Sequence, residues 1–270
     1  MAKFSPTVQD LENLDKRITE IKKRVYKGSL DPKGAYDALQ PIIEGKFPLV
    51  SDPFGNYTGM LLSLDQQFAL LREYNEKYWG GKITEEQFAA VNTDSDHTQR
   101  VEDLEILYVE FGSPKETFEN WIAVIKGENP RFWRGGSLND GYDIRLFNRN
   151  VQKYSPGIHR IHINLVVDWN PENGNSVDAS RSRVKGTKEN LAHGEVFAAY
   201  ALHTELLQAT DGTNLPYFDA PGYEVKPSGV SEWRVAPCGG WGADDGEAYV
   251  DSSGADDRSQ NYAAPVVWES

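Results

Sequence analysis

Side chains able to do chemistry are sparse in this chain. The nearest approach to a catalytic signature is His193-Gly194-Glu195, followed at a distance by Pro237-Cys238. Zinc deaminases pair H-x-E with P-C-x-x-C: one histidine and two thiolates hold the ion, and the glutamate moves protons. Here Trp241 stands where the second thiolate belongs, and Cys238 is the only cysteine. The ligand set cannot close, and one thiol supplies neither a disulfide framework nor a thiolate cluster. His193-Gly194-Glu195 then reads as a helix start, where a carboxylate complements the dipole. His159-Arg160-Ile161-His162 is the second group. On a strand these two histidines face opposite sides and cannot chelate one ion. His193 and His203, ten residues apart, fall on different flanks of one helix. The catalytic arrangement left is tertiary, with His162 meeting His193 and Glu195 in space.

Other groups suggest binding. Arg131-Phe132-Trp133-Arg134 mixes cations and aromatic rings, as single-strand binders do. Trp133, Arg134, Arg145 and Arg149 are therefore the binding candidates. The acidic run Asp244-Asp245-Gly246-Glu247, with Asp251, Asp256 and Asp257, offers oxygen ligands. It departs from the twelve-residue calcium loop and reads as solvated turns. There is no P-loop, no dinucleotide fingerprint and no G-x-S-x-G elbow. No metal site and no cofactor is expected.

The elements that must position these residues change character along the chain. Val8, Leu11, Leu14, Ile18, Ile21 and Val25 recur at steps of three and four, an amphipathic helix that offers a face for self-association. A short helix follows Asp31-Pro32. Ser63 to Tyr78 reads as a third helix, and Thr84 with Gln87 caps a fourth. Residues 92–99 are polar and aperiodic and read as a linker. Beyond them Leu104 to Phe111 reads as a strand, and Ser113-Pro114-Lys115-Glu116 opens a helix. His159 to Asp168 alternates as a strand, with 169–187 a polar loop. Thr187 or Asn190 starts a helix running through Leu207. Short β-like pieces follow at 223–225, 233–235, 248–250 and 265–268. The expectation is an α+β fold: a helical module, 1–96, then an α+β domain, 97–270, holding a mixed or antiparallel sheet with two main helices and an acidic C-terminal segment.

Composition bounds the class. The 270 residues carry a net charge of -13, 39% hydrophobic and 11% aromatic side chains. Aromatic content at that level argues against wholesale disorder, and no apolar run is long enough for a membrane span. Charge is unevenly distributed: 1–96 is net -3, 131–188 net +5 and 219–270 net -7. The absence of an apolar stretch after Lys3 and the single thiol lead to an expected cytoplasmic location.

The second part resembles a set of proteins from candidate-phyla-radiation (Patescibacteria) bacteria. The residues concerned include Leu104-Glu105-Ile106-Leu107, Trp133-Arg134-Gly135-Gly136-Ser137-Leu138, Gly194-Glu195-Val196, Ala198 to His203, Gly222-Tyr223-Glu224-Val225 and Trp233 to Pro237. They span roughly 100–250. The resemblance implies a bacterial cytoplasmic protein and brings no assigned activity or catalytic residue. Three functional readings follow. The first is a non-enzymatic binding protein with a protein or small-molecule partner. The second is a metal- or histidine-dependent hydrolase or transferase using His162, His193 and Glu195. The third is nucleic-acid binding through the basic 131–188 segment.

Overall fold

The computed structural model describes residues 61–95, 97–147, 151–170, 173–185, 189–212, 214–242 and 244–269. The expected helices at 8–25 and after Asp31, and Arg149, lie outside these residues. Helix α1 (Leu64–Lys77) starts at Ser63, whose side chain and that of Gln66 form a reciprocal capping box. Helix α2 (Glu85–Ala89) repeats the device with Thr84 and Gln87. Contact density divides the chain between Leu49 and Val50. Leu64, Leu71, Tyr74, Trp79 and Phe88 share one apolar core with the strands and helices after residue 100. Residues 61–91 of the expected 1–96 module are thus packed into the sheet domain.

Strand β1 (Leu104–Glu110) leads into helix α3 (Pro114–Glu128), capped by Ser113 with Pro114 in the first turn. Then come β2 (Phe132–Arg134), β3 (Asp143–Leu146), β4 (Gly157–Asn164), α4 (Val177–Arg183) and β5 (Asn190–Leu191). Helices α5 (Gly194–Leu202) and α6 (Thr204–Ala209) follow. Six strands complete the order: β6 (Tyr217–Asp219), β7 (Tyr223–Lys226), β8 (Val235–Gly242), β9 (Glu247–Gly254), β10 (Tyr262–Ala263) and β11 (Val266–Glu269). The fold is α+β, with two sheets where one was expected. One is antiparallel, in the order β1-β4-β11-β5; the other is seven-stranded and mixed, built around β8.

Helix α5 lies between the sheets. All nine of its residues are buried, as an all-round apolar sequence requires. It packs on β1 and α3, while Phe197 and Tyr200 meet Phe218 of the second sheet at 5.5 and 4.4 Å between ring centroids. Phe118 of α3 bridges in the same way, edge-on to Phe197 and Tyr223.

Four expectations change. The helix expected through Leu207 breaks at His203, whose backbone (φ -119°, ψ 76°) is not helical. The polar loop 169–187 contains α4, with Val177, Ser180, Arg181 and Val184 on its buried side. Strand β4 stops at Asn164 rather than Asp168: the Asn164 side chain accepts from the Val166 amide, and Asp168 has φ 62°. The β-like piece expected at 233–235 is instead β8, which starts at Val235 and runs on through Gly239-Gly240. A Cβ at Gly239 would lie 2.7 Å from both the Phe218 ring and the Tyr249 carbonyl, so the pair permits close packing.

Candidate functional site

Register decides which histidines can meet. On β1 and β4, His162 lies opposite Glu105, and His159 opposite Tyr108. Neighbouring residues on a strand face opposite ways, so His162 and Glu105 emerge on one face of the sheet. Tyr108, Glu110 and His159 emerge on the other, towards α5. The expected trio of His162, His193 and Glu195 is therefore split by the sheet. His193 and Glu195 meet Tyr108, Glu110 and Tyr223 instead.

That inner group is buried. His193 caps α5, and its backbone amide donates to Glu195 Oε2 at 2.6 Å. Its Nε2 lies 3.0 Å from the Gln152 carbonyl and 3.3 Å from Glu195 Oε1. The Tyr223 ring is 5.3 Å away and that of Tyr108 6.0 Å. Glu110 accepts from the hydroxyls of Tyr108 and Thr117, each at 2.5 Å. Burial pushes the His193 imidazole down to about 4 and the Glu195 carboxyl up to about 7. Burial also raises Glu110, against the two hydroxyl donors. Both groups of the pair are thus neutral over much of the range between those values. Gly194 is required beside them, because a Cβ there would lie 2.4 Å from the Tyr108 hydroxyl.

The outer face carries a different cluster. A tight turn joins Arg100 and Asp103 through reciprocal backbone hydrogen bonds. It is anchored by buried Val101, whose carbonyl accepts from Leu165, and by the Gln99 amide, which pairs with the backbone of Glu105. This turn brings His97 and Asp103 over β4. Asp103 Oδ1 is 2.7 Å from His162 Nδ1, and Asp103 Oδ2 is 3.7 Å from His97 Nε2. One donor atom from each of the three residues lies within 4.8 Å of the other two. Donors around a tetrahedral ion bound at about 2.1 Å stand about 3.4 Å apart; the carboxylate of Asp103 lies near that spacing from both imidazoles, while His97 Nε2 is also 2.8 Å from the Asp103 carbonyl.

The surroundings of the cluster fit metal binding. His162 Nε2, the nitrogen not facing Asp103, lies 3.7 Å from Glu105 Oε1. Arg160 donates to Glu105 Oε1, and the Ser95 hydroxyl donates to Oε2 at 2.6 Å. Burial would raise the Glu105 carboxyl, but Arg160 and Ser95 hold it below the usual range. A carboxylate behind the second nitrogen of a histidine is the usual outer support of a metal ligand. On the far side, Trp268 stacks on the His162 ring at 5.8 Å and 15°.

Sequence reasoning singled out His162 and missed His97 and Asp103. Both come from, or just after, the polar stretch taken for a linker. Their signal is tertiary: a turn that no periodicity reveals lays them over a strand.

The binding candidates are placed separately. Trp133 is 46% exposed on β2. Arg134 makes two hydrogen bonds to the Glu119 carboxylate, and Arg145 bonds Glu224 while lying 4.2 Å over the Trp233 ring. Cys238 is buried in β8, and burial raises its thiol. No helix of the described residues is long and apolar enough to cross a membrane. No protein-family profile, curated protein or solved structure matches the chain.

Proposed function

We propose that the protein is a binding protein whose ligand is a divalent transition-metal ion, held by His97, Asp103 and His162. The observation that carries this reading is the spacing of the three donors, all within 4.8 Å on one face of the first sheet. Two imidazoles and one carboxylate suit zinc and its first-row neighbours better than calcium or magnesium, which prefer oxygen alone. Binding replaces the proton shared by His162 Nδ1 and Asp103 with the ion. Glu105 then steadies the imidazole from its other nitrogen.

Titration calorimetry with zinc tests this on the full chain. The expected result is one ion per chain, lost in His97→Ala and in His162→Ala and retained in His193→Ala. Bound zinc also raises the unfolding midpoint, by about 2.7 kcal/mol of stability at a hundredfold excess over the dissociation constant. Absence of stoichiometric binding, or binding indifferent to both outer-face substitutions, overturns the reading.

A further inference from the structure

We infer that the protein leaves this ion's coordination shell open, and that an exogenous anionic oxygen donor of the carboxylate or phosphate class completes it. The inference rests on the metal-ion reading above.

Closed structural sites take four protein ligands, whereas sites that take a substrate or water use three. Glu105 is the carboxylate beside His162, and it is held away from the role of a fourth ligand. Its side chain is 1% exposed, and both oxygens are engaged, one by Arg160 and the other by Ser95. Oε1 faces the back of His162 rather than the donor triangle, since it approaches Nε2 while Asp103 takes Nδ1. Turning Glu105 inward would break its contact with Arg160 and leave a buried carboxylate without its charge partner, which is costly. The three donors, by contrast, reach solvent: their side chains are 22%, 40% and 14% exposed for His97, Asp103 and His162. An ion held by them keeps access to solvent.

Charge selects the class of ligand. A divalent ion with two neutral imidazoles and one carboxylate keeps one net positive charge. Glu105 does not cancel it, because Arg160 already matches that carboxylate. An anion gains from that charge, and a hard oxygen donor suits a first-row ion in a site of imidazole and carboxylate.

Cobalt(II) is the probe, since its visible bands report coordination number. The full chain is loaded with cobalt, titrated with sodium acetate and separately with inorganic phosphate, then desalted to measure the cobalt still bound. The expected result is a saturable change in the bands with at least one anion while cobalt stays with the protein. Which anion saturates lower distinguishes the carboxylate from the phosphate source. Glu105→Gln removes the support behind His162 and should weaken cobalt binding about 10–100-fold, while the variant saturated with cobalt should still respond to anion, because Glu105 is not a ligand. Bound cobalt whose bands ignore both anions overturns the open shell and leaves the metal reading intact. A spectral change that tracks loss of cobalt on desalting also overturns it, as does an anion response that appears only in Glu105→Gln, which would show that Glu105 closes the shell of the parent. Failure to bind cobalt at all overturns both readings.

Discussion

His203 sits where α5 gives way to α6, buried, with both ring nitrogens lacking a hydrogen-bond partner among the described residues. Burial pushes its imidazole down to about 3, against about 6.5 in an unfolded chain. The group is therefore neutral in the folded state. Its contribution to stability is complete above about pH 6.5 and is lost as pH falls towards 3. Replacing both unpaired nitrogens with an apolar side chain removes that cost. His203→Leu should match or exceed the parent by about 1–2 kcal/mol at pH 7, and its advantage should grow on acidification. Urea titrations at pH 7 and pH 5 check this; a variant that loses ground at pH 5 refutes it. Glu195 has the opposite sign. Its carboxyl is raised to about 7 by burial, from a reference of 4.5. Its stabilisation is full below about pH 4.5 and is lost as pH rises through 7. Glu195→Gln can still accept from the His193 amide, so its stability relative to the parent should rise between pH 5 and pH 8, by up to about 3 kcal/mol. A flat difference across that range would show that the carboxyl titrates normally in the fold.

At the scale of elements, β1 is an edge strand with every residue buried. An uncovered edge of this kind presents unpaired amides and carbonyls. Here side chains cover it. The Gln67 amide donates to the Glu105 carbonyl and accepts from the Leu107 amide, at 2.9 Å each. The Trp121 indole donates to the Val109 carbonyl at 3.1 Å. Gln67→Leu keeps the size and removes both bonds; the Glu105 carbonyl retains the Gln99 amide but the buried Leu107 amide is left unpaired, so a loss of about 1–3 kcal/mol is expected in denaturant unfolding. A loss under about 0.5 kcal/mol would mean that water replaces the amide. This element also shows what sequence can and cannot convey. The strand, the Ser113-Pro114 helix start and the Thr84–Gln87 capping box are local patterns and were legible. Gln67 on the buried side of an amphipathic helix carried no such mark, because its partner is 40 residues away. The cluster of His97, Asp103 and His162 failed to show for the same reason. His162 lay on a clear strand, but its companions His97 and Asp103 are delivered by a turn. The break at His203 was hidden because Leu206 and Leu207 carry the apolar pattern on beyond it.

At the scale of the molecule, the charge gradient has a local explanation. The chain is net -13 with a net +5 segment at 131–188, a pattern that by itself invites phosphate binding. The described guanidiniums of that segment are largely matched already. Arg134 pairs with Glu119, Arg145 with Glu224, Arg160 with Glu105, and Arg183 with Asp168 and Glu189. Arg181 is buried and donates to the carbonyls of Pro221 and Tyr223. Arg131 donates to the Asp245 carbonyl in the acidic tail. Each partnered cation offers a phosphate backbone less than a free one, and the overall negative charge repels it over distances comparable to the screening length. Affinity for nucleic acid through released counterions is greatest at low salt. The chain should therefore pass through a single-stranded DNA column without retention even at about 50 mM salt, and Arg145→Ala with Arg149→Ala should elute at the same volume. Retention that weakens as salt is raised, and weakens further in that double variant, would show that the pairs open to a phosphate backbone and would restore the nucleic-acid reading.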